Sequence, residues 1–135
     1  MELKKVSKLL YQLKITNQEM ISKFEKETGF SITRYELMMF LQDHGQCSQT
    51  QLQAELHIDG AAVTRHLKTL EEKGYVTRER NKKNNREVFV QITPQAVFNL
   101  TKCEKKYDSI ENQLRIQLSD IEIDQLLLLL TKLIK

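Results

Sequence analysis

Arg65 and Lys68 lie one helical turn apart, with Ala61 and Thr64 just before them and Glu72 one turn after. At about 100° per residue these side chains share one edge of a helix. Small residues near the N-terminal end let a backbone approach a groove, and the two cations reach base edges or phosphates. The chemistry such an edge offers is non-covalent recognition of a polyanion. A second basic cluster follows directly. Arg78 to Arg86 reads RERNKKNNR, with five of the chain's 21 Lys and Arg against one of its 18 Asp and Glu. Without it the chain carries 16 basic against 17 acidic residues, so the positive excess is concentrated in one turn. Charge at that density suits a finger lying along phosphates, with Arg80, Lys82, Lys83 and Arg86 as its contacts.

Covalent chemistry has little to work with. His44, His57 and His66 are scattered, and no nucleophile elbow, glycine-rich phosphate loop or HExxH run occurs. We therefore expect no enzyme, no catalytic residue, no metal and no cofactor. Two cysteines, Cys47 and Cys103, are too few for a disulfide framework and agree with a reducing compartment. No charged-then-apolar leader and no apolar run of membrane-spanning length occurs, so a cytoplasmic chain without membrane contact is expected.

The elements that must position the basic edge can be read around it. Asp59 is a good N-cap and Gly74 sits where a left-handed residue would end the helix. Between them Val63, Leu67 and Leu70 fall in one narrow stripe, which predicts burial opposite Arg65. Before it, Ser48-Gln-Thr-Gln51 reads as a capping box opening a shorter helix with Leu52 and Leu56 inward. Ser48, Gln49 and Gln51 at that start either meet DNA phosphates or only cap. After Gly74, Tyr75, Val76 and Thr77 begin one strand. Val88, Val90 and Ile92 alternate with Glu87, Phe89 and Gln91 in its partner, which predicts a hairpin with the basic turn at its tip. Two short helices followed by such a hairpin make a winged helix-turn-helix.

The run D-x-x-x-V-T-R-x-L-x-x-L-E-x-K-G-Y-V-x-R from Asp59, with a wing ending in R-x-V-x-V-x-I-T at Thr93, resembles the MarR family of bacterial transcriptional regulators. The resemblance implies a mainly α fold with a small β-hairpin wing, and a homodimer on double-stranded DNA with an inverted-repeat operator. It also implies repression and release by a small phenolic or other lipophilic ligand. One departure stands out: the wing's usual Asp two residues before the Arg is Asn84, so an Asp–Arg brace is absent. The resemblance places a ligand pocket near Tyr35, Met39 and His44. Residues 31–93 are then the DNA-binding lobe, and 1–30 and 94–135 the dimerisation helices of one 135-residue domain.

Those flanks carry their own signals. Residues 1 to 28 space Leu3, Val6, Leu10, Leu13, Met20 and Phe24 as a long helix with Asn17 on the same stripe, ended by Gly29. Thr33-Arg-Tyr-Glu36 reads as a capping box for the next helix, whose face is Tyr35, Leu37, Met38, Phe40 and Leu41. Thr93 and Pro94 form an N-cap and first helical position. That helix is expected to reach about Gln117, with Val97, Leu100, Tyr107, Ile110 and Leu114 on one face. Ser119-Asp-Ile-Glu122 starts the last helix, where Leu126 to Leu130 wrap every side and require a partner surface. Two other readings stay open. Cys47, just before a helix N-terminus, could have a lowered pKa and serve redox sensing. Alternatively the winged helix binds DNA without sequence preference, or a protein.

Overall fold

The computed structural model describes residues 1–84, 86–108, 114 and 116–134. Among the described residues nine elements follow in order: α1 (Leu3–Thr28), α2 (Ile32–His44), β1 (Cys47–Ser48), α3 (Gln49–Glu55), α4 (Gly60–Glu72), β2 (Val76–Arg80), β3 (Val88–Ile92), α5 (Pro94–Tyr107) and α6 (Asp120–Leu133). The fold is mostly helical with a three-stranded antiparallel sheet in the order β1-β3-β2. Val76 pairs with Ile92 and Arg80 with Val88, so the hairpin register closes on the basic turn. β1 was not legible in advance. Two residues are too few for an alternation, and Cys47 and Ser48 become a strand only by pairing with Val90 and Phe89.

One core fills the middle of the chain. Leu37, Met38, Leu41, Leu52, Val63 and Leu67 are fully buried, joined by Leu70, Val76, Val90, Ala96 and Leu100. The stripe expected on α4 is therefore the stripe that is buried. On α2, Leu37, Met38 and Leu41 are core, whereas Tyr35 and Phe40 are half-buried at its edge. Phe89, expected outward, is half-buried in the strand that β1 covers.

Helix boundaries follow their caps, with two corrections. Gly29 ends α1 at φ 77°, its N–H donating to the Glu25 carbonyl, a left-handed position that glycine takes without penalty. Asp59, Thr93 and Ser119 cap α4, α5 and α6 as expected, and Ser119 with Glu122 forms a full capping box. α2, however, starts two residues before the Thr33 box. Ser31 is the N-cap, accepting the Arg34 N–H, and the Ile32 N–H donates to Glu25 Oε2 from α1. A carboxylate from another helix thus satisfies an end that local sequence assigned elsewhere. α5 ends at Tyr107 rather than near Gln117. Asp108, the C-cap, is a residue type that competes with helix by bonding its own backbone. Leu114 lies outside any helix yet is only 6% exposed; Ile110 lies outside the described residues.

α1 and α6 contain no buried residue at all. Leu3 is 82% exposed, Ile121 71% and Leu128 63%. Among the described residues, no helix is long and apolar enough to cross a membrane.

Candidate nucleic-acid interface

Burial of Val63, Leu67 and Leu70 turns the other edge of α4 outward. Ala61, Thr64, Arg65, Lys68 and Glu72 are all exposed. The Asp59 carboxylate accepts the Ala62 N–H at 3.0 Å and fixes the start of the helix. Arg65 and Lys68 have no ion-pair partner among the described residues, so both the guanidinium and the ammonium head are available to an anion. Thr64 is engaged: its hydroxyl donates to the Gly60 carbonyl at 2.9 Å and accepts from Gln49 Nε2 at 2.8 Å.

The start of α3 sits beside this edge. Ser48 Oγ accepts the Gln51 N–H at 3.0 Å, while its backbone pairs with Phe89. Ser48 is thus the cap, and no return bond from the Gln51 side chain accompanies it. Gln51 is exposed and Gln49 half-buried.

The wing is built differently from its charge pattern. Arg78 points back to α4, its Nη2 donating to Glu71 Oε1 at 3.0 Å. That hydrogen bond holds the Glu71 carboxyl below its usual value, against a weaker opposing effect of burial. The positive tip is therefore Arg80, Lys82, Lys83 and Arg86, all exposed. Two asparagines shape it. Asn81 Oδ1 accepts the Lys83 N–H at 2.9 Å and Asn84 Oδ1 accepts the Arg86 N–H at 3.1 Å. Each side chain bonds the backbone two residues on, the geometry of an Asx turn. Asn81 also closes the turn by donating its N–H to the Glu87 carbonyl at 2.9 Å and its Nδ2 to Glu87 Oε2 at 3.2 Å. Backbone clasps thus stand where the Asp–Arg brace is missing.

His66 lies on the flank of α4, half-buried, with Arg34 Nη1 at 3.4 Å from its Nδ1. Burial first, then the charges of Arg34 and Arg65, push its pKa below 6.5. Cys47 departs from the redox expectation. It is 3% exposed, its Sγ donates to the Gly45 carbonyl at 3.3 Å, and burial pushes the thiol pKa up rather than down. Without solvent or a cation beside it, a thiol is a poor nucleophile.

Tyr35, Met39 and His44 lie along α2 in three different settings. Tyr35 packs edge-on against Phe24 at 5.2 Å and against Phe30 at 5.9 Å, and burial raises its phenol pKa. Met39 packs against the core, while His44 is exposed and stacks on Phe40 at 4.0 Å. A cleft of about 450 Å³ lies elsewhere, between the end of α1, the end of α4 and one face of α5. Its walls carry Lys73, Lys102 and Lys106 beside Phe30, Tyr75 and Asn99. Asn99 Nδ2 donates to the Tyr75 hydroxyl at 3.4 Å. The spacing of 99, 102, 103 and 106 places these on one face of a helix, a signal present in the sequence but eclipsed by the apolar stripe of α5.

The sequence model of the MarR family matches residues 30–88, the span that holds α2 to the start of β3. The HTH-type transcriptional regulator YdgJ of Bacillus subtilis, itself uncharacterized, is 38% identical over 113 residues, which is 84% of this chain and 69% of YdgJ. The chain belongs to the MarR family. It is a DNA-binding transcriptional regulator, not an enzyme. Solved structures share the fold over almost the whole chain. A mutant MarR from E. coli complexed with operator DNA superposes with TM-score 0.82 at 21% identity, covering 100% of both chains. Bordetella bronchiseptica BpsR superposes with TM-score 0.78 at 18% identity, covering 95% of this chain and 99% of that one. Within this family member, the exposed edge of α4 and the asparagine-clasped wing are two surfaces that turn positive charge outward.

Proposed function

We propose that this MarR-family chain is a homodimeric, sequence-specific repressor of transcription in the cytoplasm, bound to an inverted-repeat operator and released by a small lipophilic or phenolic ligand. The observation that carries the dimer is the exposed apolar surface of α1 and α6, neither of which buries a residue in its own chain. Exposed apolar side chains in that number along two helices mark an interaction site. A second copy is the simplest partner, since a twofold axis lets the same faces pair with themselves. Residues 31–93 then serve as the DNA-binding lobe, and 1–30 and 94–135 as the arms that join two lobes. Two α4 helices about 34 Å apart meet successive major grooves, which is why an inverted repeat is the matching site.

In each half-site Arg65 and Lys68 read base edges, with Ala61 allowing close approach, while Arg80, Lys82, Lys83 and Arg86 hold phosphates. Two structural neighbours support the two halves of this reading by what they themselves do. The E. coli MarR mutant is complexed with operator DNA, and the DNA binding of BpsR is regulated by 6-hydroxynicotinic acid. The lysine-lined cleft is a better seat for a ligand here than Tyr35, Met39 and His44, because its walls join both arms to the end of α4. Selection of bound fragments from randomised duplex DNA at near-physiological salt, with sedimentation of the free protein, tests the proposal. A twofold-symmetric enriched site and a dimer mass are expected; an asymmetric site bound by a monomer would refute it.

A further inference from the structure

The Gln49–Thr64 contact joins the first residue of α3 to the outer edge of α4 across 15 positions of sequence. Its polarity can be worked out from valence. Thr64 has one hydroxyl proton, and the Gly60 carbonyl at 2.9 Å can only accept it. Thr64 Oγ1 therefore faces Gln49 as an acceptor, and the Gln49 amide must present Nε2 to it at 2.8 Å. The orientation of an amide is normally ambiguous, and here the hydroxyl fixes it. Two groups of the amide remain: Oε1 and the second hydrogen on Nε2. Among the described residues neither has a protein partner. With the Nε2 hydrogen anti to Oε1 given to Thr64, the remaining acceptor and donor lie side by side on one planar amide and complement the N6 amino group and N7 of adenine in the major groove.

We propose that Gln49 reads an adenine in each half-site, and that Thr64 is the positioning residue that holds the Gln49 amide for it. Gln49 thus belongs to base readout rather than to phosphate binding. Thr64, its proton committed to Gly60 and one lone pair to Gln49, has no hydrogen left to donate to DNA and offers only its methyl and its second lone pair. The backbone beneath Gln49 is held in place, because Ser48 is pinned both by its β1 pairing with Phe89 and by its cap on Gln51. This inference rests on the DNA-binding function of the family and not on dimerisation or ligand release, because it is scored within one half-site.

The test is selection from randomised duplexes with wild type, Gln49→Ala, Thr64→Val and Thr64→Ser. The wild type should enrich an adenine whose preference falls by about 5- to 150-fold in Gln49→Ala, the range of a single bidentate base contact. Thr64→Val keeps the shape of the side chain but offers no acceptor, and should weaken the preference at that same position alone. Thr64→Ser restores the hydroxyl and should restore the preference. The double variant Gln49→Ala/Thr64→Val should discriminate no worse than Gln49→Ala. Melting by circular dichroism confirms that each variant folds. Three results would overturn the proposal: no base preference lost in Gln49→Ala; a uniform loss of affinity with a salt dependence lower by about one ion, as for a phosphate contact; or Thr64→Ser behaving as Thr64→Val.

Discussion

At the scale of single residues, the division of labour among the cations is set by what each one's neighbours engage. Arg65 projects from the exposed edge of α4 with no ion pair among the described residues, whereas Arg78 in the strand is tied to Glu71. Arg65→Ala should therefore relax sequence preference by roughly 1–3 kcal/mol at one base pair, and Lys82→Ala should weaken all sequences alike with a shallower salt dependence. Equal losses of specificity in the two variants, measured by competition with mutated sites, would contradict that division. His66 makes a different prediction. Its folded pKa lies below 6.5 because burial and two arginines penalise the imidazolium. In the window below 6.5 the unfolded chain takes up a proton that the folded chain refuses. Stability is therefore full above that window and is lost as pH falls through it, levelling off below the folded value. The melting temperature should drop as pH falls below about 6.5, and drop less in His66→Gln; equal drops in both would assign the acid sensitivity to other groups.

At the scale of elements, the wing is where a departure from the family pattern meets a structural substitute. Asn84 replaces an aspartate, yet its Oδ1 accepts the Arg86 N–H, and Asn81 does the same for Lys83. Asn84→Ala should loosen the tip without touching the core. The expected loss is about 1 kcal/mol of DNA affinity, near fivefold, with an unchanged melting temperature. An unaltered affinity would mean that the tip is ordered by DNA itself. The elements also separate what sequence discloses from what it does not. The α4 stripe Val63, Leu67 and Leu70, the Asp59, Thr93 and Ser119 caps, and the hairpin all follow from local periodicity and capping chemistry, and all were legible. The start of α2 was not, because Ile32 is satisfied by Glu25 of a different helix. Nor was β1, which exists only through its partner strand, nor the end of α5. The exposed edge of α4 was legible as a surface. The Gln49–Thr64 bond within it was not, since it joins helices that only the packed core brings together. Cys47 departs from its expected pKa for the same reason: its position before a helix suggests a lowered value, and the core that covers it raises the value instead.

At the scale of the whole molecule, the two populations of leucine differ. Those in α2, α3 and α4 are buried within the chain, and those in α6 are not. Ile123 and Leu130, seven residues apart, are half-buried and mark the side of α6 turned toward its own chain. Ile121 and Leu128, also seven apart, lie on a face that is 71% and 63% exposed at those positions. If a second copy covers this face, a charge there must be desolvated in the dimer but remains in water in the monomer. Leu128→Lys should therefore cost the pairing and leave the monomer fold intact, since the substituted side chain already faces solvent in the single chain. Sedimentation should show a monomer at concentrations where the wild type is a dimer. Circular dichroism should retain the helical signal, while the melting temperature loses its dependence on protein concentration. DNA binding should fall as well, because two lobes on one inverted repeat gain about 10²- to 10⁴-fold over a single lobe from effective concentration alone. Affinity for an isolated half-site should change little. A Leu128→Lys protein that still sediments as a dimer and binds the full site normally would place the pairing surface on α1 alone.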